Sequence, residues 1–554
     1  MRIGVGDQLL AAAGADRDAD QVAHRAARYE HGRRLAHPRR CDLQQLVRGG
    51  VVAEDVVAQR SRDHGLAHLR AGHRHRVGAQ VDHRHPLLRG PRTRVVDLGG
   101  SAVLPGFNDA HAHVVYYGLT RFAADLSGVR GVDEILERLQ EHSKGLKPGE
   151  WQQGMGYRTD ELTELRQPHR TELDRVTGDR PAYIDERGGH ARVANSAALA
   201  AAGISGDTQN PPGGRIGRDM NRLPNGLLLE SAMRMVADVQ PPPSLKRRIE
   251  GIVLAQELLV SRGITSVGAA VNRGFADDLR AYERLACDGG LRVRVNEFLS
   301  WELLEAASDL GIRTGFGGPM VRAGPIKVFV DGGAERVAMR GGGGVWRTTR
   351  EELRDLVARA SSAGLQVAAH AIGDAAIEAM CDAVEAAGAT HLRHRVEHCT
   401  ICPPDLQARL ASLGMVAVMQ PIAARFGRVA SSIFFPVRDR KDLAAHRGLM
   451  RAGVRVAFSS DLPVIPDPNP WPGIRVAVED QVNGVSLLAS LRAYTAGGAY
   501  ASFEEDVKGT LEPGMLADLQ VYNEDPLEGD GDVAWEELRP RAVLLGGVRV
   551  FGSL

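Results

Sequence analysis

From about residue 93, short apolar and β-branched runs alternate with Ala/Leu/Glu/Arg stretches of helical period, and nothing constrains the fold of this 554-residue chain more. Alternation of that kind is the signature of repeated βα units. Candidate strands end at His111, near Ala269, and at Phe298, Asp331, His370, His398, Gln420 and Asp461, with amphipathic helices such as 350–363 and 375–387 between them. Eight parallel strands with intervening helices close into a (β/α)8 TIM barrel, so the expected class is α/β. Phe122 to Leu126 and Ala182 to Asp185 are further candidate strands, and one of these runs must lie outside the barrel.

Three regions follow. Residues 1–92 form an atypical Arg/His-rich segment, 93–505 the barrel, and 506–554 a tail of short strands and turns expected to build a small β-sandwich beside it. Within the barrel region, residues 145–240 read as an insertion punctuated by Asn210-Pro211-Pro212-Gly213-Gly214 and Pro241-Pro242-Pro243. An insertion after an early barrel strand covers the catalytic mouth and shapes the pocket.

The formal net charge of zero conceals an asymmetry, because residues 1–92 hold 17 Arg and no Lys against 10 acidic residues, with nine of the 19 histidines. Such an arm could bind nucleic acid or metal, yet it lacks interleaved aromatics and any repeated motif, so no nucleic-acid partner is expected. Its composition suits a poorly ordered segment. Residues 53–92 break the pattern so abruptly that they read as a stretch outside the native coding frame. No run of about 20 apolar residues and no signal-peptide pattern appears, which excludes a membrane partner from the reading and points to the cytoplasm. Five scattered cysteines argue against a disulfide framework.

The chemistry sits at the strand ends. His111 and His113 are one residue apart after an apolar stretch, the spacing that puts two imidazoles on one face of a strand. His370, His398 and Asp461 fall at other C-terminal tips, where barrel enzymes place their catalytic groups. Taken singly, His370 reads as a core histidine and Asp461 as a helix cap before Pro463; jointly the set points to metal. Lys327 is one of only six lysines and lies in the buried-looking strand Ile326-Lys327-Val328-Phe329-Val330. An ion pair with Asp331 or Glu297 is one account of it; the other is a desolvated amine that takes up carbon dioxide to form a bridging carbamate. Cys399-Thr400-Ile401-Cys402 has no second pair, and the Gly341–Gly344 run lacks the Lys-Ser/Thr of a phosphate loop, so neither carries a site.

Five motifs together resemble the amidohydrolase superfamily, and within it the amidohydrolase family 3 group that includes the N-substituted formamide deformylases. They are Leu104 to His113, Ile326 to Gly332, His370-Ala371-Ile372-Gly373-Asp374, Arg393 to His398, and Ser459 to Val464, joined by the Gly509–Leu519 segment. The resemblance runs from about Val95 to Val550 and implies two zinc ions per chain. It implies that His111, His113 and Asp461 hold one, His370 and His398 the other, and carbamylated Lys327 bridges them, with a shared hydroxide as nucleophile and Asp461 as proton shuttle. His394 is two strand steps from His398 and on the same face, which makes it a rival ligand or a substrate contact, and the resemblance implies His190 as a substrate contact. The expected activity is hydrolysis of a non-peptide carbon–nitrogen bond in a small-molecule amide or N-acyl substrate, with a homodimer as the expected assembly. A mononuclear deaminase-like enzyme and a catalytically silent metal-binding homologue are the alternatives.

Overall fold

In the computed structural model, residues 96, 98, 100–271, 276–333, 337–423, 440–527 and 534–554 are described. The Arg/His-rich segment 1–92 lies outside them. In chain order the strands are β1 (Ala102–Pro105), β2 (Phe107–Ala112), β3 (Ala124–Asp125), β4 (Gln152–Tyr157), β5 (Ala182–Glu186), β6 (Ala191–Ala194), β7 (Gly214–Arg218), β8 (Pro224–Glu230) and β9 (Ile264–Ala269). They continue with β10 (Arg294–Ser300), β11 (Val321–Phe329), β12 (Val367–Ala371), β13 (Arg395–His398), β14 (Val416–Met419), β15 (Arg455–Phe458), β16 (Leu519–Tyr522), β17 (Ala542–Leu545) and β18 (Val548–Gly552).

Eight of them, β2 and β9 to β15, form one parallel sheet in sequential order. Its two edges meet: Asp461 N–H donates to His111 O at 2.8 Å and His113 N–H to Leu462 O at 2.7 Å, so the sheet is drawn into a (β/α)8 barrel. Helices such as Leu245–Ser261, Arg350–Ser362 and Asp374–Ala387 cover its outside, burying Ile252, Leu259, Leu353, Val357, Ile377 and Val384 against strand residues Val267, Val328 and Val367. Strands covered on both faces read as continuous apolar runs, which is why these eight are so evident in the sequence.

The run from Ala102 to His113 is not one strand. It breaks at Gly106, where an added Cβ would stand 2.1 Å from Thr265 Oγ1, so only glycine lets the chain pass that close. β1 then pairs antiparallel with β16 while β2 enters the barrel. The tail strands form a four-stranded antiparallel sheet, β1-β16-β17-β18, over Leu98, Leu511, Leu519, Val521 and Leu544; among the described residues it is a single layer rather than a sandwich. Arg294 on β10 forks onto Asp518 at 2.6 and 2.9 Å, tying that sheet to the barrel.

Both extra candidate strands lie outside the barrel, in a six-stranded sheet of order β3-β4-β5-β6-β8-β7. Its first three strands are parallel and the rest antiparallel. Two apolar clusters cover it, one around Ile135, Leu139, Tyr157 and Ile184, the other around Tyr183, Leu199, Leu228 and Val236. Strict alternation of buried and half-buried residues along β8 shows one face packed and the other turned outward. Among the described residues no helix is long and apolar enough to cross a membrane.

Candidate metal centre

At the C-terminal rim of the barrel, side chains distant in sequence converge. His111 lies in β2, His113 one residue beyond it, and Asp461 three residues beyond β15, where a backbone φ of 58° turns it inward. Such a conformation is costly for a non-glycine residue and persists when the surroundings enforce it. Here Asp109 does so: its carboxylate accepts the Ser460 N–H at 2.9 Å and the His111 N–H at 3.3 Å. One ligand-capable atom from each of His111, His113 and Asp461 falls within 4.8 Å of the others. His113 Nε2 is 3.3 Å and His111 Nε2 3.6 Å from the same oxygen, Asp461 Oδ1.

The outer nitrogens are held from behind. His111 Nδ1 meets Glu397 Oε2 at 2.5 Å, and Arg395 grips both oxygens of that carboxylate at 2.7 and 3.0 Å. His113 Nδ1 donates to Ala270 O at 2.9 Å. Each ring therefore presents Nε2 to the centre as an unprotonated lone pair, the arrangement that carboxylate and carbonyl partners impose on metal-ligating histidines. His111 Nε2 and Asp461 Oδ1 are buried and find no hydrogen-bond partner. Buried polar atoms are nearly always satisfied, so two orphans facing each other across a pair of imidazoles fit a cation between them.

His370 and His398 stand beside this group, with ring centres 4.5 Å apart and His398 5.3 Å from His111. His398 Nδ1 is held by Gln420 Oε1 at 2.9 Å, whereas His370 Nε2 faces Gly332 O at 3.2 Å and Asp331 Oδ1 at 3.6 Å. Lys327, only 2% exposed on β11, completes the set. It makes no ion pair with Asp331 or Glu297; the carboxylates acting on it are Glu397 and Asp461, and burial pushes its amine down to about 8.

Burial, reinforced by the Lys327 charge, holds His111, His370 and His398 below the ordinary imidazole range, so all three are neutral and able to bind metal. Asp461 is the opposite case. Burial opposes its charge, but His113, His398 and His111 together hold its carboxyl well below the usual carboxylate range.

His394 is not brought to the rim. Its Nδ1 accepts the Val367 N–H at 2.9 Å and its Nε2 meets Ser361 Oγ at 3.2 Å, at the other end of β13. His190 is brought close: its ring centre is 6.0 Å from that of His370, and its Nδ1 meets Glu230 Oε2 at 3.0 Å. Glu397, Gln420 and Glu230 are functional neighbours that motif reading passed over; a charged Arg395/Glu397 alternation inside an apolar strand was the available signal for the first. A cavity of about 1860 Å³ opens onto the site, floored by His113, Lys327, His370, His398 and Asp461 and walled on one side by the six-stranded sheet.

Barrel, rim and donor set define a metal-dependent hydrolase, and the family model for the amidohydrolase family matches residues 94–551. The chain belongs to that family and is an enzyme that hydrolyses carbon–nitrogen bonds. It is 30% identical over 475 residues to the putative amidohydrolase YtcJ of Bacillus subtilis (strain 168), covering 79% of this chain and 87% of that protein. It is also 30% identical over 488 residues to the N-substituted formamide deformylase of Arthrobacter pascens, covering 82% and 88%. Among solved structures, an uncharacterized metal-dependent hydrolase from Pyrococcus horikoshii OT3 superimposes with a TM-score of 0.66 at 26% identity, over 79% of this chain and 89% of that one.

Proposed function

We propose that this chain hydrolyses an amide or N-acyl bond, other than a peptide bond, in a small molecule. The observation that carries the reading is the pair of orphaned buried atoms, His111 Nε2 and Asp461 Oδ1, facing one another beside His113 Nε2. His111, His113 and Asp461 would hold one zinc ion, His370 and His398 a second, with Lys327 carbamylated between them. Bound there, the metal supplies an acidified water and a Lewis acid for the scissile carbonyl.

The chain's own groups do the rest. A Lys327 amine pushed down to about 8 by burial is more readily neutral than an exposed one, so its nitrogen can add to carbon dioxide, releasing one proton and gaining a carboxylate. Asp461 keeps Oδ2, 4.0 Å from His398 Nδ1, as the oxygen that takes the proton of the attacking water. As water adds to the acyl carbon and the C–N bond breaks, that proton passes from Asp461 Oδ2 to the leaving nitrogen. Acid and amine are the products, and atoms balance.

The tightness of the His111, His113 and Asp461 group, with His370 Nε2 turned to Gly332 O, favours a second reading with one cation and unmodified Lys327, as in a deaminase-like enzyme. Free thiols at Cys381, Cys399 and Cys402 accord with a cytoplasmic location. Metal analysis and intact mass test both readings. Two zinc ions per chain and 44 Da added at Lys327, the mass of carbon dioxide by general chemistry, are expected; one zinc and no added mass select the mononuclear form. Chelation is expected to lower turnover of an N-substituted formamide or an N-acyl amino acid by at least about 100-fold, restored by zinc. Equal activity before and after chelation overturns the proposal.

A further inference from the structure

Arg347 is held over the end of β11 by its backbone. Its N–H donates to Val330 O at 2.9 Å, Thr348 Oγ1 donates to Phe329 O at 2.7 Å, and Trp346 pairs with Asp331 in an antiparallel bridge. Arg347 lines the cavity, with its Cζ 4.4 Å from the centre of the Phe329 ring. The same ring centre is 4.9 Å from Lys327 Nζ and 5.4 Å from the His370 ring centre. One phenyl ring thus separates this cation from the metal centre.

The cation is poorly matched. Among the described residues its guanidinium makes no hydrogen bond, and its one ion-pair contact is Glu230 Oε2, 3.8 Å from Nη1 and beyond hydrogen-bond reach. The Glu230 carboxylate is engaged elsewhere: Oε2 lies 3.0 Å from His190 Nδ1, and Oε1 accepts the Gly333 N–H at 3.4 Å. Burial pushes the Arg347 guanidinium down from its ordinary value; Glu230 offsets only part of this, and the like charge of Arg234 adds to it. Arg234, also on the cavity wall, has Glu302 Oε1 at 3.4 Å.

Other buried arginines are treated differently. Arg192 forks onto Asp185 at 2.6 and 2.7 Å and Arg294 onto Asp518 at 2.6 and 2.9 Å. In both, against the pull of burial, the carboxylate holds the guanidinium above its ordinary range. Arg347, with its side chain 22% exposed, has the desolvation without the fork, and its donors stay open to the cavity.

We propose that Arg347 binds a carboxylate and that the substrate is an amide bearing one a few bonds from the scissile carbonyl. This deepens the amide-hydrolase reading and rests on it. A planar guanidinium forks onto a carboxylate through two parallel hydrogen bonds, the pairing that Arg347 lacks within the chain. Phe329 sets the spacing: with the acyl carbon beside His370 and Lys327, a carboxylate on the far side of that ring meets the guanidinium.

The test uses two pairs of amides on the zinc-loaded full chain, each pair differing only by the carboxylate. N-formylnorleucine against N-pentylformamide carries it on the amine side, and N-butylsuccinamic acid against N-butylpropanamide on the acyl side. In one pair the acid is expected to be favoured in kcat/KM by at least about tenfold, which a charge-assisted hydrogen bond supplies, and that pair tells which side of the amide bears the charge. Arg347→Ala is expected to bring this ratio to within about threefold, the remainder that an exposed charge such as Arg234 can supply. Arg347→Lys, which keeps the charge without the fork, is expected to retain part of it. No preference for either acid in the wild type, or a loss in Arg347→Ala that strikes acid and neutral amide alike, overturns the proposal.

A second arm needs neither metal nor turnover. Removing zinc excludes its direct ligation by the carboxylate, so equilibrium dialysis of the same compounds against metal-free protein reads the arginine. The acid is expected to bind at least about tenfold more tightly than its neutral partner, and Arg347→Ala to erase the difference. Equal binding of acid and neutral amide, or a difference that survives Arg347→Ala, overturns the inference. Selective binding by metal-free protein, with no turnover of any of these amides by the zinc-loaded chain, instead keeps the carboxylate site and sinks the hydrolase reading, so the two failures are distinguishable.

Discussion

The barrel rim and the six-stranded sheet that walls the cavity both bury polar groups, and they differ in where the unpaired atoms fall. In the sheet, Asn195 spends every hydrogen-bonding position: its oxygen accepts from Ala182 N–H and Ala198 N–H, and its amide donates to Thr177 Oγ1 and Arg180 O, all within 2.9 Å. Asp185 and Arg192 form a fork at 2.6 and 2.7 Å, with the guanidinium 3.7 Å above the Tyr183 ring and its Nη1 left without a hydrogen-bond partner. At the rim the pairing is displaced one layer outward, to Glu397 with Arg395, and the inner atoms His111 Nε2 and Asp461 Oδ1 are left bare. The wall's own orphans, Arg192 Nη1 and Gln152 Oε1, are a donor and an acceptor on different strands, whereas His111 Nε2 and Asp461 Oδ1 are two acceptors 3.6 Å apart that face one centre, and that convergence is what makes a cation site.

The largest effect should come from breaking the layer that supports the rim. Glu397→Ala removes the partner of His111 Nδ1 and strands Arg395, whose side chain is 1% exposed. Loss of one member of a buried ion pair costs about 3–5 kcal/mol. Loss of a carboxylate behind a metal-bound histidine costs roughly 10- to 100-fold in metal affinity. Denaturation midpoints and zinc titration should therefore both fall; unchanged zinc affinity would show that Glu397 supports only the fold.

The corresponding cut in the wall separates those two effects. Asp185→Ala leaves Arg192 buried without its fork and should destabilise the protein by about 3 kcal/mol or somewhat more, while zinc content stays at the wild-type value. A loss of zinc comparable with that in Glu397→Ala would erase the distinction between wall and rim.

How far each region could be read in advance follows the same division. Barrel strands announce themselves through continuous apolar runs ending in polar tips, and Lys327, His370 and Asp461 stand out because they interrupt such runs. The six-stranded sheet hides because β5 and β6 gain meaning only from pairing with β4 and β8, and β3 is two residues long. The break at Gly106 depends on Thr265, over 150 positions away, so no local pattern foretells it. Glu230 was invisible for the same reason: its partner His190 is 40 residues earlier, on another strand.

His394 shows where periodicity itself misleads, and it offers the mildest test. Alternation puts 394 and 398 on one face, but His398 takes a φ of 72°, which leaves the strand's pleat, and four residues span about 13 Å. His394 thus belongs with the satisfied groups of the wall rather than with the rim. Burial pushes its imidazole down from the ordinary 6.5 to about 4. The unfolded chain therefore binds the proton first: stability is full above pH 6.5, declines as pH falls toward 4, and levels off below it. The contribution is at most about 3 kcal/mol. His446, also pushed down to about 4 by burial, adds to the same slope, so His394→Gln should flatten the decline without abolishing it. Urea midpoints measured from pH 7 to pH 4 on metal-free protein read this directly. An unaltered slope in His394→Gln would mean that His394 is not the neutral, doubly bonded group its contacts with Val367 and Ser361 describe.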